Sequence, residues 1–265
     1  MNLRKRGKIG RKGQVTIFVI IAIVIIAGVI LFFALTDTGR NLLRNITGQE
    51  IDFNSQVRNC IENNPEIKSE INLIMSQGGS LNPGNYFLYN DTKFSYLCYT
   101  NEYYKGCVMQ NPNLLFNTEN EIENSIRNNI QTCFNDAEED LKSRGYRVTK
   151  QNMELTIDII PKRILIDVNY PFTIEKETTQ RYENFDFRLL SNHYQLILIG
   201  TSILNYEARY GDSESLTFMA LYPHIRVNKL KQGDSSTVYI LTDRNTGDVF
   251  GFAVRSYAWP AGYKL

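Results

Sequence analysis

The sequence is poor in the residues that carry catalysis. Only two histidines, His193 and His224, occur in 265 residues. Neither stands in an H-E-x-x-H or G-x-S-x-G setting, and the chain contains no Walker loop and no dinucleotide-binding glycine pattern. His193 has no acidic or cysteine partner at helical spacing, and His224 follows Tyr222-Pro223 ahead of a strand, so both read as structural or surface histidines. The close cysteine pairs that zinc requires are missing. Asp243 and Asp248 flank a turn, but two carboxylates fall far short of the roughly six to eight oxygens that calcium takes. Asp37-Thr38-Gly39 spells the tripeptide of aspartic proteases at a place where no buried dyad can be built. No cofactor, no metal and no catalytic activity are expected. Internal repeats and low-complexity segments are lacking too.

Charge is absent from one long stretch. Val15 to Leu35 holds 21 residues without an acid or a base, and as a helix it would span about 31 Å, the thickness of a bilayer's hydrocarbon core. It is too long for the core of a cleaved secretory signal, and the following Thr36-Asp37-Thr38 is a poor cleavage site. Ahead of it stand Arg4, Lys5, Arg6, Lys8, Arg11 and Lys12 with no acid among them, which keeps the N-terminus cytoplasmic and sends the rest outside. Setting these six aside leaves 23 basic against 28 acidic residues, a net −5. That balance excludes nucleic acid as a partner and makes the basic stub a topology signal at the lipid bilayer.

All four cysteines, Cys60, Cys98, Cys107 and Cys133, lie beyond the apolar run, where an even count reads as two disulfides. Position alone leaves three pairings open. Cys60 lies beside Val57 and Ile61, and Cys133 beside Ile130, so packing two apolar helix stripes brings those two together. Cys98 and Cys107 close a short loop through Thr100-Asn101-Glu102 and Gly106. Chain-entropy estimates give about 4 kcal/mol for the long loop and about 3 kcal/mol for the short one. Asn45 and Asn90 head N-x-T triplets and are candidate glycosylation acceptors.

The chain divides into a basic stub (1–14), a transmembrane helix (15–35), a helical stalk (36–64), a cysteine-bearing subdomain (65–150) and a sheet domain (151–265). Leu42, Ile46, Phe53, Val57 and Ile61 carry the stalk's stripe. Asn64-Pro65 opens a helix through Ile67, Ile71 and Ile74, which Gly78-Gly79 ends. Tyr86–Tyr89 and Phe94–Tyr99 are predicted strands around Asn90-Asp91. Thr118 with Glu121 reads as a capping box, opening a helix that Gly145 terminates. Alternation predicts strands at 154–159 and 164–170, with a further strand pair or one edge strand over 173–187. A helix over 189–210 and strands at 225–227, 238–242 and 249–254 follow, the last two forming a hairpin. Adjacent strand runs separated by helices make the fold class α+β, an antiparallel sheet with packed helices. Tyr96, Tyr99, Tyr103 and Tyr104 read as a core with hydroxyls at its rim, or as a recognition patch for protein or glycan.

Lys12-Gly13-Gln14-Val15 before the apolar run resembles the archaeal class III signal peptide of type IV pilin-like proteins. The resemblance implies processing between Gly13 and Gln14 and self-association through the apolar helix and stalk. It covers the first 35 or so residues, and Phe18 stands where the family usually has glutamate. The remainder is similar to surface proteins of small-genome archaea. Carrying features are Val57-x-x-Cys60-Ile61, Gly78-Gly79, the Cys133 helix, Leu241-Thr-Asp243, Phe250 to Arg255 and Trp259-Pro260. The expected function is a membrane-anchored extracellular protein with a binding or envelope-structural role. The alternatives are a pilin-like filament subunit and an extracytoplasmic hydrolase, which needs a histidine in a cleft beside a carboxylate and a nucleophile.

Overall fold

A computed structural model describes residues 20–28 and 52–258. The stub, Gly13, Gln14, Asp37, Asn45 and Trp259-Pro260 lie outside them, as do the upper stalk and both ends of the apolar run. Residues 20–28 are helical with exposed apolar side chains; among the described residues no helix is long and apolar enough to cross a membrane. The chain divides into two units at Phe53.

The second unit opens with α1 (Phe53–Asn63) and α2 (Pro65–Ser76). Phe53, Val57 and Ile61 are fully buried, so the last turns of the expected stalk belong to the folded core. Asn64 caps α2 through its side-chain oxygen, which accepts from the amides of Glu66 at 2.9 Å and Ile67 at 3.3 Å. Proline at the first helical position loses no hydrogen bond there. Next come β1 (Tyr86–Tyr89), β2 (Thr92–Tyr99) and the short β3 (Val108–Met109). Asn90 and Asp91 both take positive φ, the geometry of a two-residue hairpin turn.

The helix α3 (Leu114–Ser143) starts one turn before the expected capping box. Thr118 lies inside it and donates back to the Leu114 carbonyl at 2.7 Å, while Glu121 accepts from the Leu81 amide at 2.8 Å. Leu114 and Thr118 extend the stripe of Ile122, Ile126 and Ile130, so burial carries the helix through the box.

The strands β4 (Arg147–Lys150), β5 (Glu154–Ile160), β6 (Arg163–Glu175) and β7 (Thr179–Leu190) form a four-stranded antiparallel sheet. β6 is central, with β5 and β4 in succession on one side and β7 along the other. The 173–187 region is thus the end of β6 and an edge strand. Leu189 and Leu190 pair with Ile164 and Arg163, so α4 (His193–Tyr210) begins four residues later than its periodicity suggested. The short α5 (Ser215–Leu221) follows, then β8 (Ile225–Lys231), β9 (Thr237–Asp243) and β10 (Val249–Arg255).

The six-stranded sheet runs β1-β2-β10-β9-β8, with β3 paired to β2. The pairing is antiparallel as expected except at one place: β10 lies parallel to β2, with Val254 opposite Cys98. The same contact joins the expected 65–150 and 151–265 domains, which share this sheet.

The helix α3 rests on α1, α2, β5 and β4, and α4 rests on β10, β2 and β9. Phe53 stacks on Phe172 at 4.6 Å, and Phe134 meets Tyr170 edge-on at 5.1 Å. This aromatic cluster fixes the start of α1 against the four-stranded sheet. Beside it Cys60 bonds Cys133, joining α1 to α3 across a Cα separation of 5.8 Å. Cys98 bonds Cys107 at 5.4 Å, closing the loop after β2. No cysteine is free, and these pairs join the stripes and the loop as the sequence suggested.

Candidate functional site

The β9–β10 turn is drawn onto the start of α4 by side chains. Asn192, the residue before the helix, donates its amide to Asp248 at 2.6 Å and its side-chain NH2 to Gln195 at 3.0 Å and to Asp243. Asp243 also accepts from the Asn245 amide at 2.8 Å within its own turn. Both carboxylates therefore serve a helix N-terminus, where backbone N–H groups lack partners and negative charge is favourable. His224 joins the rim through Gln195 at 3.2 Å.

Behind this clamp lies a cavity of about 360 Å³ between α1, α2 and the end of β7. Ser191, His193 and Asp248 line it, together with Glu62, Lys68 and Arg188. A histidine thus does stand in a cleft with a carboxylate and a hydroxyl. His193 is only 2 % exposed, which decides between the structural and surface readings in favour of the structural one. Burial lowers its pKa, against the pull of the Asp248 carboxylate and the Val249 carbonyl. The Ser191 hydroxyl lies 2.6 Å from Nδ1 and accepts the His193 amide at 3.1 Å. Nε2 is buried and meets no partner at hydrogen-bonding geometry.

This connectivity differs from that of a nucleophile–base–carboxylate relay, in which the carboxylate orients the ring and the nucleophile faces substrate. Asp248 instead holds the Asn192 amide, and Ser191 is 7 % exposed with its hydroxyl turned onto its own helix start. The trio fixes the β7–α4 junction. No family model, no curated protein and no solved structure matches this chain.

On the other side of the junction, α4 and α5 enclose an apolar groove of about 730 Å³. Ile199 and Phe218 form its floor, and Leu198, Tyr206, Leu221 and Tyr222 its exposed walls. Between cavity and groove the chain crosses a ridge, Leu190-Ser191-Asn192, where Leu190 is 92 % exposed. Sequence reasoning missed the groove because α5 was not anticipated, and a seven-residue helix carries too little periodicity to read.

The tyrosine cluster separates. Tyr96 is buried with its hydroxyl 2.7 Å from Ser236, and Tyr99 packs against it at 4.9 Å, while Tyr103 and Tyr104 are half exposed. Asn90 is exposed at the β1–β2 turn. Glu207 was missed altogether. It continues the buried stripe of Ile199 and Ile203 and accepts hydroxyls from Tyr239 and Ser256 inside the core. A glutamate in phase with a buried stripe was the available signal.

Proposed function

We propose that this chain is a membrane-anchored extracellular surface protein whose folded domain binds a partner or contributes to envelope structure, without catalysis. The observation that carries the reading is that all four cysteines are bonded, in a domain that follows an uncharged apolar run with a basic flank. Disulfides persist in oxidising compartments, and the flank's charge keeps residues 1–14 inside. The Ser191 hydroxyl, turned onto the His193 amide and ring at the start of its own helix, supports a scaffold role for the chain's chemically suggestive trio. On intact cells, a membrane-impermeant reagent should label sites beyond Leu35 and none in residues 1–14. Labelling that appears only after lysis would overturn the topology.

The second reading is a pilin-like subunit, favoured by Lys12-Gly13-Gln14-Val15 before the apolar run. A mature protein starting at Gln14 supports it, whereas an intact Met1 on a detergent-extractable monomer supports the simple anchor. A hydrolase draws on the Ser191, His193 and Asp248 cavity. A fluorophosphonate probe tests that directly: covalent labelling of Ser191 would replace the non-catalytic reading.

A further inference from the structure

We infer that the α4–α5 groove and the Leu190 ridge dock a segment of a partner protein that carries large apolar side chains interspersed with carboxylates. The inference rests on the binding reading above, but not on the membrane topology.

Shape and composition come first. A volume of about 730 Å³ falls within the range of roughly 300–1,000 Å³ typical of ligand pockets. Leu198, Tyr206, Leu221 and Tyr222 leave apolar surface open to water on both walls, and Leu190 stands almost fully exposed beside them. Scattered apolar residues on a surface need no explanation, but a concave set around a floor of Ile199 and Phe218 marks an interaction site. Tyrosine walls suit a peptide, because each ring contributes a large area with few torsions to order and keeps a hydroxyl for hydrogen bonding. A concave groove admits a chain segment, whereas a flat bilayer would reach only its rims.

Charge selects the partner. Around the ridge the acids are already engaged: Glu62 accepts from Arg58 at 2.8 Å and from the Arg188 amide, and Asp248 holds the Asn192 amide. Among the described residues, the ammonium groups of Lys68 and Lys162 have no ion-pair or hydrogen-bond partner, and the Arg188 guanidinium reaches only Asp186, at 3.4 Å. The unengaged charge is therefore positive, on the surface of a domain whose overall balance is negative. Lys162 lines the groove from the two-residue β5–β6 turn with φ +69°, a conformation that glycine or asparagine adopts more easily.

The full chain, purified in detergent, would be applied to an array of short synthetic peptides. These would hold leucine, phenylalanine and tyrosine at fixed positions and place aspartate or glutamate, serine or asparagine, or lysine between them. Acidic peptides should bind about tenfold more tightly than neutral ones and weaken with salt, as expected of charge steering near a surface. Lys162→Glu should abolish the acidic preference, and Leu198→Asp should weaken every version about tenfold or more. Both side chains are exposed, so circular dichroism should report an unchanged fold. Absence of saturable binding would overturn the inference, as would equal binding of basic peptides or wild-type affinity in both variants. Binding to anionic phosphatidylglycerol vesicles or to a glycan array at this groove, in place of peptide, would also overturn it. So would a second copy occupying the groove, seen as self-association that Leu198→Asp removes. None of these outcomes bears on the labelling of intact cells, so failure here and failure of the surface topology are separable.

Discussion

Tyr239 donates its hydroxyl to the Glu207 carboxylate inside the core, tying β9 to the last turns of α4. Burial and the neighbouring carboxylate hold that hydroxyl far above its ordinary pKa, so it remains a donor throughout the pH range of the folded protein. The other Glu207 oxygen accepts from Ser256, which follows β10. One acid thus joins a helix to two neighbouring strands.

Tyr239→Phe removes one donor and leaves a buried carboxylate oxygen short of a partner. A hydrogen bond to a charged group contributes roughly 1.5–3 kcal/mol, and the loss should appear in full as a lower denaturation midpoint. Urea titration checks it. An unchanged midpoint would mean that water or a rearranged hydroxyl replaces the tyrosine.

The two disulfides should differ in what they contribute. Cys60–Cys133 closes a separation of 73 residues and Cys98–Cys107 one of 9. Replacing the first pair by alanine should cost about 4 kcal/mol and the second about 3 kcal/mol. Equilibrium unfolding of the two double variants gives the order, and peptide mapping without reduction gives the connectivity. A fragment linking Cys98 to Cys60 or Cys133 would contradict the structure.

His193 should make stability fall on mild acidification. Burial lowers its folded pKa below the ordinary 6.5, so below that value the unfolded chain binds a proton the folded chain refuses. The contribution is complete above pH 6.5 and is lost as pH falls toward the folded value. Glu138 acts lower: burial opposes it, but Lys142 and Lys150 hold its pKa below 4.5, so its contribution disappears only beneath that. Thermal unfolding between pH 7 and 5 should show a decline in the wild type that is shallower in His193→Gln. Equal slopes would show that the ring titrates alike in both states.

Much of the chain announces itself locally. Asn64-Pro65 sets the start of α2 because the cap and the proline act on their own turn. Asn90-Asp91 sets the β1–β2 hairpin because two successive positive φ angles favour those residues. The stripes beside Cys60 and Cys133 were in phase, and packing brought the sulfurs together. Thr118-x-x-Glu121 misled because the capping box is a local signal, whereas Leu114 and Thr118 are buried by contacts distant in sequence. Leu189-Leu190 reads equally well as helix or strand, and pairing with Arg163 and Ile164 decided for β7.

What the sequence determined by itself was therefore whatever depends on near neighbours: turns, caps, the faces of helices, the uncharged run and the cysteine count. The tertiary structure alone decided that β2 lies parallel beside β10, that α5 closes a groove against α4, and that His193 and Glu207 are interior. Alternation along a strand or helix tells which face is buried but carries no information about which distant element covers it.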